Sequence, residues 1–320
     1  MERLPVTRIS MPTPYGSVGP VNAFLIESTP LTLIDAGFNS SQAENALKLA
    51  LNERGYFPES IEQILITHGH PDHYGLVSTI QDASGANVYF PAREIKRVRD
   101  PQMMMETGRL LMEAGMPLEM LFKMNRRRER EGGGRPGMDH DQVVAVHDGD
   151  RFQFDGFELV AYDMPGHTGG HIVYVEPQTH TMFAGDQLLP KTSPNPLLEP
   201  SLDEPGERRR SLKDYLASLH KMAAMDLRLV YPGHGDPVED PGALINSTIE
   251  HHEKRKVDVA GFLEEEGQTV FELAQKMYPD KIEDEAFLAV SEVVAHLDLI
   301  VEDGDAQIYD KEGVTYYRST

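Results

Sequence analysis

The 320-residue chain contains no cysteine. Disulfides, thiolate metal ligands and a cysteine nucleophile are thereby excluded, and any bound metal must be held by His, Asp or Glu. No stretch approaches the roughly 20 apolar residues needed to cross a bilayer, and the opening MERLPVTRIS lacks the continuous apolar run of an export signal. A cytoplasmic protein with no membrane partner is therefore expected. Basic residues are scarce. With 30 Lys and Arg against 52 Asp and Glu, the net charge of -22 opposes approach to a phosphate backbone unless cations are concentrated locally. What is present, 40% hydrophobic and 26% charged residues over a length that suits about two domains, is the composition of a folded globular chain and excludes disordered and fibrous classes.

Strand and helix patterns alternate in the first half. Val21 to Glu27 and Leu31 to Asp35 are short apolar runs separated by Ser28, Thr29 and Pro30, which suits two strands and a tight turn. From Ser40 to Arg54, Ala43, Ala46, Leu47, Ala50 and Leu51 recur at helical spacing, and Gly55 ends the pattern. Ile61 to Thr67 reads as a buried strand. Residues 91–142 interrupt the rhythm with Met103, Met104, Met105, Met112, Met116, Met120 and Met124, an Arg cluster at 126–130 and glycines 132–134. This stretch has the look of an insertion: either a solvated helix and loop, or a lid whose methionines adapt to an apolar ligand and whose arginines meet an anionic one. Strands return at 143–146, 151–154, 157–163, 172–176, 181–184 and 227–231, with a helix from about Glu207 to Met225 before the last. Beyond 240 the pattern is three helices, near 242–265, 269–278 and 284–299, and a terminal hairpin about Lys311-Glu312-Gly313. That order suggests a winged-helix-like domain over 246–320, after a larger domain over 1–245.

The most informative segment is Thr67-His68-Gly69-His70-Pro71-Asp72-His73, with four metal-binding side chains within six residues on a loop after a strand. Core packing does not explain such a cluster. His68 and His70 can converge from one side of an extended turn, while Asp72 and His73, at the start of a helix, point to a neighbouring position, so the spacing implies two metals. Three more candidate ligands stand at strand ends beside glycine: His167 in Pro-Gly-His-Thr, Asp186 in Ala-Gly-Asp and His234 in Pro-Gly-His-Gly.

Together these residues form an H-x-H-x-D-H, H, D, H series that resembles the metallo-β-lactamase superfamily from about residue 20 to 240. The resemblance implies an α/β fold of four layers, a metallo-β-lactamase αββα sandwich. It implies one divalent ion on His68, His70 and His167, a second on Asp72, His73 and His234, and Asp186 between them. Zinc ranks first for this donor set, with iron and manganese open. Asp35 matches a strand-end aspartate that supports ligand histidines. The implied activity is hydrolysis through a metal-bound hydroxide, with Asp72 both a ligand and the residue that orients the attacking group.

His171, in Gly-His-Thr-Gly-Gly-His, resembles a stretch of hydroxyacylglutathione hydrolases and reads as a supporting or substrate-side residue. His251 and His252 read as surface residues, and His140, His147, His180, His220 and His296 have no spacing that argues for a role. The tail, with the stretch MFAGDQLLPKTSPN at 182–195, resembles the β-lactamase-like protein 2 group. The expected substrate is a small molecule with an ester, thioester or lactone bond, an anionic acyl thioester among the candidates; the alternative is an endoribonuclease or phosphodiesterase, favoured by Arg208 to Arg210 and opposed by the net charge. DNA binding by the tail is not expected, since no Lys or Arg occurs between Glu283 and Val301.

Overall fold

The structure, a computed structural model, describes residues 4–16, 18–100, 102–130 and 143–320, and the side chains of all of these except 128–130. The glycines 132–134 and His140 lie outside the described residues. A six-stranded sheet runs in chain order through β1 (Val6–Met11), β2 (Val21–Ile26), β3 (Thr32–Ile34), β4 (Gln63–Leu65), β5 (Asn87–Pro91) and β6 (Val143–Val146), antiparallel as far as β3 and parallel beyond it. A five-stranded sheet holds β7 (Arg151–Phe154), β8 (Phe157–Asp163), β9 (Ile172–Glu176), β10 (Thr181–Gly185) and β11 (Leu229–Pro232), antiparallel except for the pair β10–β11. A third sheet is ordered β12 (Gln268–Thr269), β14 (Val314–Ser319), β13 (Ala306–Lys311). The helices are α1 (Ser41–Glu53), α2 (Pro71–Tyr74), α3 (Val77–Ser84), α4 (Ala92–Arg99), α5 (Gln102–Glu113), α6 (Leu118–Arg130), α7 (Ser211–Ala223), α8 (Pro241–Ala260), α9 (Val270–Met277) and α10 (Ile282–Asp303).

Strand alternation explains the layering. All six residues of β2 are buried, because Val21, Ala23 and Leu25 point to α1 and α3 while Phe24 and Ile26 meet the other sheet. In β9, Ile172 and Tyr174 face the first sheet, whereas Val173 and Val175 face Leu212, Tyr215 and Leu219 of α7. Helix, sheet, sheet and helix therefore stack as the expected αββα sandwich.

The stretch read as an insertion is part of a core. Leu110, Leu111, Ala114, Met116 and Leu121 are buried against Val259, Val270, Phe271 and Leu297, and Phe271 N donates to Ala114 O at 2.9 Å. Met104, Met105 and Met112 stay exposed. Helix α8 crosses the expected boundary at 245/246, with Ile245 packed on the catalytic layers and Val259 in the C-terminal cluster. Among the described residues, no helix is long and apolar enough to cross a membrane.

Candidate metal centre

The seven expected ligands lie on loops and one short helix that follow the strands of the two large sheets. His68 follows β4, Asp72 and His73 lie in α2, His167 lies between β8 and β9, and Asp186 and His234 follow β10 and β11. Backbone bonds hold these loops together: Ile172 N to Thr67 O at 2.9 Å, Gly233 N to Gly185 O at 2.6 Å and Asn22 N to Gly233 O at 2.7 Å. At Gly233 a Cβ would meet the Asp186 carboxylate and come within 2.7 Å of His73 Cε1, so only glycine lets the two loops approach.

Inside the cluster, His68 Nε2 and His167 Nε2 each lie 3.0 Å from His70 Nδ1. His73 Nε2 is 3.3 Å from Asp186 Oδ1, and His234 Nε2 is 3.4 Å from Asp72 Oδ2 and 3.5 Å from Asp186 Oδ2. A tetrahedral site with bonds of about 2.0–2.1 Å has edges of about 3.3 Å, so these separations match donors that share a cation.

The outer nitrogens identify the tautomers. His73 Nδ1 donates to Asp35 Oδ2 at 2.7 Å, His234 Nδ1 to Pro20 O at 2.9 Å and His167 Nδ1 to Asn195 O at 3.3 Å. Thr67 Oγ1 spends its proton on Asp35 and accepts from His68 Nδ1 at 3.1 Å. Each of these four rings thus keeps Nδ1 as its outer donor and aims Nε2 inward; burial would lower His73 and His234, but Asp186 raises both above the ordinary range, so there a bound cation would displace the Nε2 proton. His73 Nε2, His234 Nε2 and Asp186 Oδ1 are buried there without a protein partner, the residue type and geometry that a divalent pair would satisfy. Burial holds the imidazoles of His68, His70 and His167 below their ordinary range, which keeps their lone pairs available. Burial alone would raise the Asp186 carboxyl, but His73 and His234 hold it well below the usual range and ionised. Asp35, which supports His73 and Thr67, sits at a φ of 57°, a strained backbone for a residue other than glycine.

His171 supports the cluster from behind. It is fully buried, stacks on His68 and accepts from Asp186 N at 3.2 Å through Nε2. Two acids were missed in the sequence. Glu94 on α4 is fully buried and accepts from Gly69 N at 3.0 Å and Gly170 N at 2.8 Å, clamping the His68–His70 loop to the His167–His171 loop. Arg97 neutralises it at 2.7 Å and donates to Gly69 O, and Glu199 accepts from Gly169 N at 3.1 Å. The only signal was the Glu94–Arg97 pair at helical i,i+3 spacing, common on solvated helices.

Four arginines of the two runs serve the fold. Arg208 and Arg210 both pair with Asp298 of α10, Arg209 binds Gly166 O and Glu199, and Arg127 binds Asp284. The surface reading of His252 is corrected: it is buried, and so is its partner His296, because α8 packs this side against α10 rather than water. His147 and His220 are exposed and His180 is half-buried.

A family model for the metallo-beta-lactamase superfamily matches residues 16–234. The chain belongs to that superfamily. This metallo-β-lactamase superfamily member is 30% identical to the probable metallo-hydrolase YqjP of Bacillus subtilis over 98% of both chains, and 25% identical to a beta-lactamase-like protein 2 homolog of Caenorhabditis elegans over 93% of this chain and 85% of that one. A hydroxyacylglutathione hydrolase of Pseudomonas aeruginosa is 28% identical over 40% of this chain and 34% of its own length. Among solved structures, a metallo-beta-lactamase family protein from Thermus thermophilus covers 99% of both chains with 27% identity and a TM-score of 0.82. By family and by these relatives the superfamily member is a metallo-hydrolase.

Proposed function

We propose that this metallo-hydrolase uses two divalent ions, zinc by donor class, to cleave an ester, thioester or lactone bond of a small molecule. The observation that carries the reading is the convergence of His68, His70, His167, Asp72, His73, His234 and Asp186, with His73 Nε2, His234 Nε2 and Asp186 Oδ1 buried there without a hydrogen-bond partner. A bound pair of divalent cations supplies a water acidic enough to attack at neutral pH and positive charge beside a developing oxyanion.

The chain's own residues do the rest. His68, His70 and His167 form one ligand set, Asp72, His73 and His234 the other, and Asp186 faces both. Asp72 turns Oδ2 to His234 and His73, and its second oxygen is assigned to accept the proton of the attacking water and fix its direction. Thr67, Asp35, Pro20 and Asn195 hold the ligand tautomers, so the centre need not reorganise as charge develops.

The choice of acyl substrate over phosphodiester is supported by the arginines, since the described members of the 208–210 run and Arg127 are spent on internal carboxylates. It is also supported by the hydroxyacylglutathione hydrolase, whose name states a thioester substrate. The C-terminal module, which we read as winged-helix-like, buries the helix that would read DNA: Val290, Val293, Val294 and Leu297 of α10 are core. It acts as scaffold for the site. The test is a parallel assay of zinc-loaded protein on acyl-CoA, hydroxyacylglutathione, a homoserine lactone, a phosphodiester and single-stranded RNA. Acyl transfer to water should exceed phosphodiester cleavage at least tenfold, and the reverse order would overturn the substrate class.

A further inference from the structure

Away from the metal centre, α8 and α10 press three more donors together. His252 Nδ1 faces His296 Nε2 at 3.2 Å, with both rings buried. Glu292 stands one helical turn before His296, and one donor atom from each of the three lies within 4.8 Å of the other two.

Hydrogen-bond accounting assigns the protons. His296 Nδ1 lies 2.7 Å from the backbone carbonyl of Glu292, which can only accept, so Nδ1 carries the proton and Nε2 a lone pair. Ser193 Oγ, 2.8 Å from His252 Nε2, can donate to it, which puts the His252 proton on Nδ1, between the two rings. The two nitrogens joined there stand close to the spacing found between His68, His70 and His167 in the metal centre.

Burial lowers His252 to about 3 and His296 to about 4, so near neutrality both rings are neutral and a single proton lies between them. The Glu292 carboxyl is in the opposite position: burial pushes it up to about 7, with Arg255 Nε opposing from 3.7 Å. A divalent cation that displaced the proton between the rings would take a lone pair from each imidazole and ionise the carboxyl.

We propose that His252 and His296, with the Glu292 carboxylate beside them, bind a structural divalent cation, zinc by donor class, at a site separate from the metal centre. The His2Glu set suits a borderline ion, and the outer contacts to Ser193 and to the Glu292 carbonyl are those that orient metal-bound imidazoles. The ion cross-links α8 to α10. Through Ser193 it also steadies the segment in which Asn195 holds His167 and donates to Leu288 O at 3.0 Å.

The test uses the full-length chain, stripped with chelator and reconstituted with Zn2+ or Co2+. Wild type should hold three ions per chain, and a His70→Ala/His234→Ala variant should still hold one, with the visible bands of low-symmetry Co2+. Glu292→Gln, nearly isosteric, should weaken that remaining site at least tenfold without changing the far-ultraviolet circular dichroism, and His252→Asn should abolish it. The proposal is overturned if the His70→Ala/His234→Ala variant binds nothing, or if its binding survives His252→Asn and Glu292→Gln unchanged. A wild type whose only ion is removed by His252→Asn would support this site while refuting the two-metal centre. A nitrogen-15 spectrum of zinc-loaded protein showing a proton on His252 Nδ1 or His296 Nε2 would also overturn it.

Discussion

At the scale of single residues, the centre depends on side chains whose partners are already fixed. Asp186→Asn keeps size and removes charge, so it should leave the melting temperature of the stripped protein within a few degrees while lowering bound metal and abolishing hydrolysis; unchanged turnover would refute its bridging position. Asp35→Asn removes the acceptor that orients His73, and the expected loss is about 10–100-fold in metal affinity by chelator competition. Glu292 gives a pH signature. Its folded value, pushed up to about 7, lies above that of an unfolded glutamate near 4.3, so the native state binds more protons between those values and stability falls as pH rises through that window. In stripped protein Glu292→Gln should remove that decline, worth up to about 3 kcal/mol by urea denaturation at pH 8. All seven candidate ligands were legible because metal-binding residue types beside glycine at strand ends stand out in sequence. His252 and His296 were not, since a helical histidine's burial depends on which neighbour covers it.

At the scale of elements, α4 to α6 changed meaning. Their methionines and arginines suggested a lid, but α4 clamps the ligand loops through Glu94, and α5 and α6 supply part of the C-terminal core. Deleting residues 102–130 uncovers Val259, Phe271 and Leu297, each worth about 1.5–3 kcal/mol of burial. The truncated chain should lose cooperative thermal unfolding as well as activity; one that melts cooperatively, keeps its metal and only shifts substrate preference would restore the lid. Glu94→Gln should loosen both ligand loops, visible as faster metal loss. Burial alone would raise the Glu94 carboxyl, but Arg97 holds it below its ordinary range, so its stabilisation is present above the unfolded pKa and is lost as acid protonates it. Strand and helix periodicity located most elements of the two large sheets, whereas β1, β5 and α3 are short or weakly patterned and take their form from tertiary pairing.

At the scale of the whole molecule, the sandwich and its C-terminal helices act as one support for the loops and short helix that carry the candidate ligands. Charge follows the same plan. Arg97 is tied to Glu94 and Glu199, and Arg208 to Asp298, in a chain of net charge -22. The fold was legible through the resemblance that the ligand motifs carry; the covering of α10 was not, because its apolar residues could equally have faced a partner. The most direct test of the metal assignment is anomalous diffraction at the zinc edge from crystals of zinc-loaded protein. The account predicts two peaks about 3.5–4 Å apart among the seven ligands, one beside His68, His70 and His167 and one beside Asp72, His73 and His234, with Asp186 touching both. A single peak, or none, among those residues would contradict it.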